Sequence, residues 1–213
     1  MAPTPELVTY ETASPSAALV LAHGAGAGQS SPFMTNFARG MAARGIATLT
    51  FDFPYMAARR KVPDPAPVLE ACWLGAIEAT RQLIPKLPVF IGGKSMGGRI
   101  ASQVAAGPHP PIAGLVFLGY PLHPPGKPAQ RRDAHLPRVA EPMLFVQGSR
   151  DAFGTAEEIR GLLPRLTRAA LHEVAGGDHS LKPGSRRIDP QNVMAAVMDL
   201  VADWMGAALR DGR

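Results

Sequence analysis

Residues 88–98 read PVFIGGKSMGG, and this stretch decides the fold. Pro88 to Ile91 is a short continuous apolar run, the pattern of a strand covered on both faces. It leads directly into Gly93-Lys94-Ser95-Met96-Gly97, a G-x-S-x-G sequence, and a helical pattern follows. A serine at the tip of a sharp strand-to-helix turn has an exposed hydroxyl and a strained backbone. The small residues two before and two after it let strand and helix approach without side-chain collision. In a chain with 22 glycines, a chance G-x-S-x-G arises on the order of 0.1 times per chain, so its position carries more weight than the string. The phosphate-binding G-x-x-x-x-G-K-[ST] loop is a different pattern, because Lys94-Ser95 lacks the upstream glycine spacing.

Outward from this stretch, further apolar runs end in polar or glycine-rich turns. Ala17 to Ala22 ends at His23-Gly24-Ala25-Gly26-Ala27-Gly28. Ala47 to Phe51 stops at Asp52, Phe53 and Pro54, and Ile112 to Leu118 stops at Gly119-Tyr120-Pro121. Met143 to Gln147 leads into Gly148-Ser149-Arg150-Asp151, and Ala170 to Val174 into Gly176-Gly177-Asp178-His179. Helical patterns fill the gaps. Val68 to Leu83 places Leu69, Cys72, Trp73, Ala76, Ile77 and Leu83 on one stripe. Asp189 followed by Pro190 reads as an N-cap with proline at the first helical position. Val193, Val197, Leu200, Val201, Trp204 and Met205 then recur at helical spacing. Alternating strands and helices predict an α/β fold with a mainly parallel central sheet flanked by helices. In such sheets ligands bind beyond the carboxyl ends of the strands, where these turns gather. The irregular stretch His123 to Leu136 has the length of a rim loop, not of a lid domain.

The chain has 213 residues, 46% of them hydrophobic and 18% charged, enough apolar material for the core of one domain spanning 1–213. Global disorder, collagen-like and low-complexity classes are excluded by that composition. No apolar stretch is expected to cross a membrane, and MAPTPELVTYE lacks the start of a secretory signal. A cytoplasmic location without membrane partners is therefore expected. Cys72, the one cysteine, has no partner for an internal disulfide or a zinc cluster. The net charge of +5 raises nucleic acid as a partner. Yet Arg59-Arg60-Lys61, Arg131-Arg132 and Arg186-Arg187 are short clusters, and none is interleaved with aromatics. No nucleic-acid partner is expected, while an anionic substrate suits the same charge.

A serine hydroxyl is a poor nucleophile at neutral pH and needs a base, itself held by an acid. With a nucleophile on a strand-to-helix turn of an α/β sheet, the chain order is nucleophile, acid, base. Asp151 follows the strand 143–147 and His179 follows the last strand, so both fall on the edge of the sheet that carries Ser95. His109, His123 and His135 precede Asp151, the wrong side for that order, and His172 sits within a strand. Asp151 has a second reading as the N-cap of a helix starting near Thr155. Two donors for an oxyanion are expected: the amide of Met96, at the start of the helix, and the amide of Ala25, with Gly26 as its alternative. His23 is expected to brace that turn.

The strings LAHGAGAG, GGKSMGGR, GYPLHPPGKP, FVQGSRD and GGDHSLKP, in this order from about Ala17 to Trp204, resemble the small lidless α/β-hydrolases of the dienelactone-hydrolase-like branch. The resemblance implies an α/β-hydrolase fold without a lid and a triad of Ser95, Asp151 and His179. Dienelactone hydrolases proper use a cysteine nucleophile where this chain has Ser95. The resemblance also draws His123 and Lys127 toward the rim of the site. Tyr55, with Phe53 and Met56, follows another strand end as a candidate pocket residue, and Lys94 and Arg99 flank the nucleophile. The expected activity is a serine hydrolase acting on a small-molecule carboxylic ester or thioester, with no cofactor or metal. A peptidase, a cofactor-free perhydrolase and a non-enzymatic binding protein on the same scaffold are the alternatives.

Overall fold

The computed structural model describes residues 4–185 and 187–211, so Arg186 of the last basic cluster lies outside the described residues. Seven strands form one sheet in the order β1-β3-β2-β4-β5-β6-β7. They are β1 (Leu7–Tyr10), β2 (Ala17–Ala22), β3 (Ile46–Phe51), β4 (Val89–Lys94), β5 (Gly114–Leu118), β6 (Met143–Gly148) and β7 (Ala169–Val174). All pairs are parallel except β1 with β3, which runs antiparallel with Leu7 opposite Phe51. The helices are α1 (Pro32–Ala42), α2 (Pro54–Ala57), α3 (Ala66–Leu83), α4 (Met96–Ala105), α5 (Ala156–Arg160) and α6 (Pro190–Asp211).

Strand residues alternate between two cores, one on each face of the sheet. Ala18, Val20, Ile91, Leu115, Phe117 and Phe145 meet Trp73 and Ile77 of α3 and Ile100 and Val104 of α4. Ala17, Leu19, Leu21, Phe90, Val116 and Val146 meet Met34, Phe37 and Met41 of α1 and Val197, Val201 and Met205 of α6. Burial on both faces is why these strands are apolar at every position rather than at every second one. β1 is missing from the strands expected from sequence. It is a four-residue edge strand with a half-exposed pattern and has no continuous apolar run to betray it.

Two expectations about helices change in the structure. On α3 the buried stripe holds Leu69, Cys72, Trp73, Ala76 and Ile77 but continues to Thr80. Leu83, the last residue of the helix, is 62% exposed. Thr80 is accommodated by donating its hydroxyl to Ala76 O at 2.8 Å. α6 begins as expected, with Gln191 N donating to Asp189 Oδ1 at 2.8 Å. Contrary to the sequence expectation, this 22-residue helix is, by length and composition alone, in the range of a membrane-crossing one, with a mean hydropathy of 1.3 over an 18-residue window. In the fold its apolar side lies on the sheet. Arg44, after α1, pins it by donating Nε to Asp199 Oδ1 at 2.7 Å and Nη2 to Ala195 O at 3.1 Å.

Candidate active site

Four strand ends build the site. β4 ends at Lys94, and Ser95 sits on the turn with φ 51° and ψ −117°. Such a conformation costs a non-glycine residue about 1–3 kcal/mol and persists only where its surroundings enforce it. Here the Ser95 amide is tied to Leu118 O of β5 at 3.1 Å, and the Ser95 carbonyl accepts from Arg99 N of α4 at 3.1 Å. Gly93 and Gly97 allow the close approach that this demands. A methyl group on either would lie 2.3 or 2.4 Å from Ala22 O.

The sheet edge brings Ser95, His179 and Asp151 together. Ser95 Oγ is 2.8 Å from His179 Nε2, and His179 Nδ1 is 2.8 Å from Asp151 Oδ2. Asp151 is 1% exposed. Its carboxylate accepts from Phe153 N at 2.8 Å on Oδ1 and from Gln147 Nε2 at 2.9 Å on Oδ2. A buried carboxylate with two such donors is held in one orientation. The N-cap reading of Asp151 does not hold, since α5 is capped by Thr155 in a reciprocal capping box with Glu158. Asp178, beside the histidine, points away and caps its own turn by accepting from Ser180 N and Lys182 N.

The glycine-rich turn after β2 lies against the nucleophile, with a hypothetical Gly24 Cβ 3.5 Å from Ser95 Cβ. His23 is fully buried beneath it, and burial lowers its pKa, so the ring is neutral. Nδ1 donates to Gly24 O at 2.7 Å, while Nε2 accepts from Phe53 N at 3.1 Å. Because a trans peptide points its N–H opposite its C=O, fixing the Gly24 carbonyl also fixes the direction of the Ala25 N–H. Met96 opens α4, where the first amides have no partner within the helix.

A cavity of about 700 Å³ opens in front of Ser95. Ala25, Met96 and His179 line it, together with Phe33, Leu69, Lys94, Arg99, Arg132 and Phe153. The two candidate pocket residues lie behind its wall instead. Tyr55 is fully buried, and its hydroxyl donates to Ala25 O at 3.1 Å, bracing the turn from below. His123 is buried against α5, with Nε2 3.1 Å from Glu158 Oε1. Following a strand end places a residue on the right edge of the sheet but does not aim its side chain. Phe53 is also buried outside the cavity wall, and Lys127 is exposed.

Three neighbours of the site escaped the sequence reading. Phe153 stacks on the His179 ring with centroids 4.2 Å apart. Gln147 holds Asp151, and Arg132 reaches the cavity from the rim loop. Only Gln147 left a signal, as a polar residue closing the otherwise apolar run MLFVQ. Cys72 is buried, and burial pushes its thiol up to about 12. Among the described residues no group of three or more His, Cys, Asp or Glu is placed to hold a metal ion.

Lys94 ties the serine turn to the histidine loop. Its Nζ donates to His179 O and sits 5.4 Å from the Phe33 ring centroid. Burial lowers its pKa from 10.5 to about 8, against the opposing pull of Asp151 and Asp178. Below pH 8 the lysine is charged in both folded and unfolded chains, and the cost of burying the ammonium is present in full. Between pH 8 and 10.5 the unfolded chain binds more protons, so the cost fades and stability rises with pH. Urea unfolding of wild type and Lys94→Met is expected to show wild-type stability gaining on the variant across that window. A pH-independent difference would contradict a buried ammonium.

The fold has solved counterparts. An alpha-beta serine hydrolase homologue from Coxiella burnetii superposes with a TM-score of 0.73 at 15% identity, covering 92% of this chain and 89% of that one. Dienelactone hydrolase from Anabaena variabilis gives 0.72 at 19% identity, over 97% and 99%. The esterase domain of a Rhodothermus marinus protein gives 0.65 at 16% identity, over 93% and 96%. At these identities the likeness is one of fold. The family model described as an alpha/beta hydrolase domain matches residues 15–206, nearly the whole of the sheet and helices described above, and the chain belongs to that family.

Proposed function

We propose that the protein is a serine hydrolase that cleaves a carboxylic ester or thioester by acyl transfer. The observation that carries this reading is the unbroken hydrogen-bonded line from Ser95 Oγ through His179 to Asp151, starting at a strained turn that faces a cavity. His179 Nε2 takes the Ser95 proton as Oγ forms a bond to the substrate carbonyl carbon. The carbonyl π electrons move to oxygen, and the Met96 and Ala25 amides receive that charge. Collapse expels the leaving group, protonated by His179, and leaves an acyl-Ser95 ester. Water, deprotonated by His179, then attacks that ester and releases the acid. Asp151 keeps Nδ1 protonated throughout, so that Nε2 faces Ser95 as an acceptor. The choice of an ester leans on the esterase and the dienelactone hydrolase among the similar folds.

A fluorophosphonate probe, which phosphonylates only an activated serine, tests this reading on wild type, Ser95→Ala and His179→Ala. The expected result is labelling of the wild type alone, with all three chains folded by circular dichroism. A folded wild type that stays unlabelled would overturn it.

A further inference from the structure

We propose that Phe153 is a positioning residue for His179. Its ring fixes the tilt of the imidazole and stabilises the positive charge that the imidazole acquires when it takes a proton. This deepens the hydrolase reading and rests on it. His179 is held in the plane of its ring at two points, Nδ1 by Asp151 Oδ2 at 2.8 Å and Nε2 by Ser95 Oγ at 2.8 Å. A ring fixed only at two in-plane atoms can still rock about the line through them. The Phe153 ring lies against its face, with centroids 4.2 Å apart and planes 30° from parallel, and a contact of that kind blocks the rocking.

The acid and this ring come from one turn. Phe153 N donates to Asp151 Oδ1 at 2.8 Å, and the Phe153 carbonyl accepts from His123 N at 3.0 Å. Gln147 Nε2 reaches both Asp151 Oδ2 at 2.9 Å and Gly154 O at 2.6 Å. The bonds that orient the carboxylate therefore also aim the phenyl ring. The charge argument is separate. On taking the Ser95 proton, His179 becomes an imidazolium with only 22% of its side chain exposed. Lys94, Arg99 and Arg132 line the cavity beside it, with Asp64 as the opposing carboxylate there. The Asp151 carboxylate faces the new charge at the Nδ1 edge, and the negative face of the Phe153 π system meets it across the ring. A neutral imidazole gains far less from that face than a cation does. An interaction that strengthens toward the transition state lowers the barrier instead of merely tightening binding. Deacylation uses it again, when His179 takes a proton from water.

Ring fluorination separates the charge effect from packing, because fluorines draw electron density off the ring face and leave its shape almost unchanged. Chains carrying 4-fluoro-, 3,5-difluoro- and 3,4,5-trifluorophenylalanine at position 153 are compared with wild type, Phe153→Tyr and Phe153→Leu. Rates on 4-nitrophenyl acetate are taken above those of Ser95→Ala, and each chain is melted by circular dichroism. The expected result is a stepwise fall of kcat and kcat/KM together along the fluorinated series, at unchanged Tm. Phe153→Leu falls at least as far, by about 2- to 30-fold, the range of a cation on an aromatic face. Phe153→Tyr, which keeps that face, retains most of the rate. A kcat that stays level across the fluorinated series overturns the proposal and leaves the hydrolase standing. A change confined to KM makes Phe153 a plain part of the cavity wall and overturns it as well. A folded wild type that neither cleaves the ester nor takes up the fluorophosphonate overturns the hydrolase reading, and this inference with it.

Discussion

An Asp151→Asn chain is expected to fold and to turn over an activated ester about 10,000-fold more slowly than wild type. The size of the loss follows from the donors that surround this carboxylate. Asp151 accepts from Phe153 N on one oxygen and from Gln147 Nε2 on the other, and His179 Nδ1 lies between them. Gln147 has no freedom to turn over, because its Oε1 already accepts from Tyr120 N at 2.7 Å and its Nε2 donates to Gly154 O. An asparagine has one acceptor for two fixed donors that sit on different oxygens, so its amide must face one of them. If the amide meets His179, the ring takes the opposite tautomer, and Nε2–H points at Ser95 as a donor where an acceptor is needed. The buried mismatch costs about 1–3 kcal/mol of stability. Initial rates on 4-nitrophenyl acetate and a urea titration measure the two effects separately. A rate within tenfold of wild type would mean that Asp151 does not set the state of His179.

Gly97→Ala is expected to damage the fold itself. At an exposed helical position this change stabilises by about 1 kcal/mol, since alanine is the better helix former. Here the added methyl would sit 2.4 Å from Ala22 O and 2.6 Å from His23 O. Both atoms are backbone at the end of a central strand and have no rotamer by which to retreat. Either α4 lifts from the sheet or β2 gives way, and such overpacking costs about 1–3 kcal/mol or more. A lifted α4 would also break the bond from Trp73 Nε1 to Gly97 O, now 3.2 Å in the core. We expect a net loss of about 2 kcal/mol, or roughly 4–8 °C in Tm for a chain of this size. Turnover should fall further than stability, because the same shift separates the Met96 amide from Ala25. Gly107→Ala is the control: there the methyl meets only Val104 O, at 3.8 Å. Equal melting of the two variants would show that the contact at Gly97 yields easily.

How far the sequence reveals this molecule follows from what each segment packs against. β2, β4, β5 and β6 are visible as unbroken apolar runs because helices cover both of their faces. β1 is hidden by its exposed edge position. For the site, chain order places Ser95, Asp151 and His179 on one edge of the sheet, and hydrogen bonds join them there. The cavity wall is less legible. Arg132 lies in a loop with no periodicity, and Phe153 follows Asp151 in a turn whose direction only the fold determines. Tyr55 and His123 follow strand ends as well, but their side chains turn into the interior.

The lone sulfhydryl of this chain has a practical consequence. Cys72 is buried on α3, and burial pushes its thiol up to about 12, so the thiolate that reacts with maleimides and methanethiosulfonates is scarce at neutral pH. The wild type is thus already a silent background for site-directed labelling. A single cysteine introduced on the rim loop would carry a spin or fluorescent reporter of ligand entry, without first stripping the protein of competing thiols.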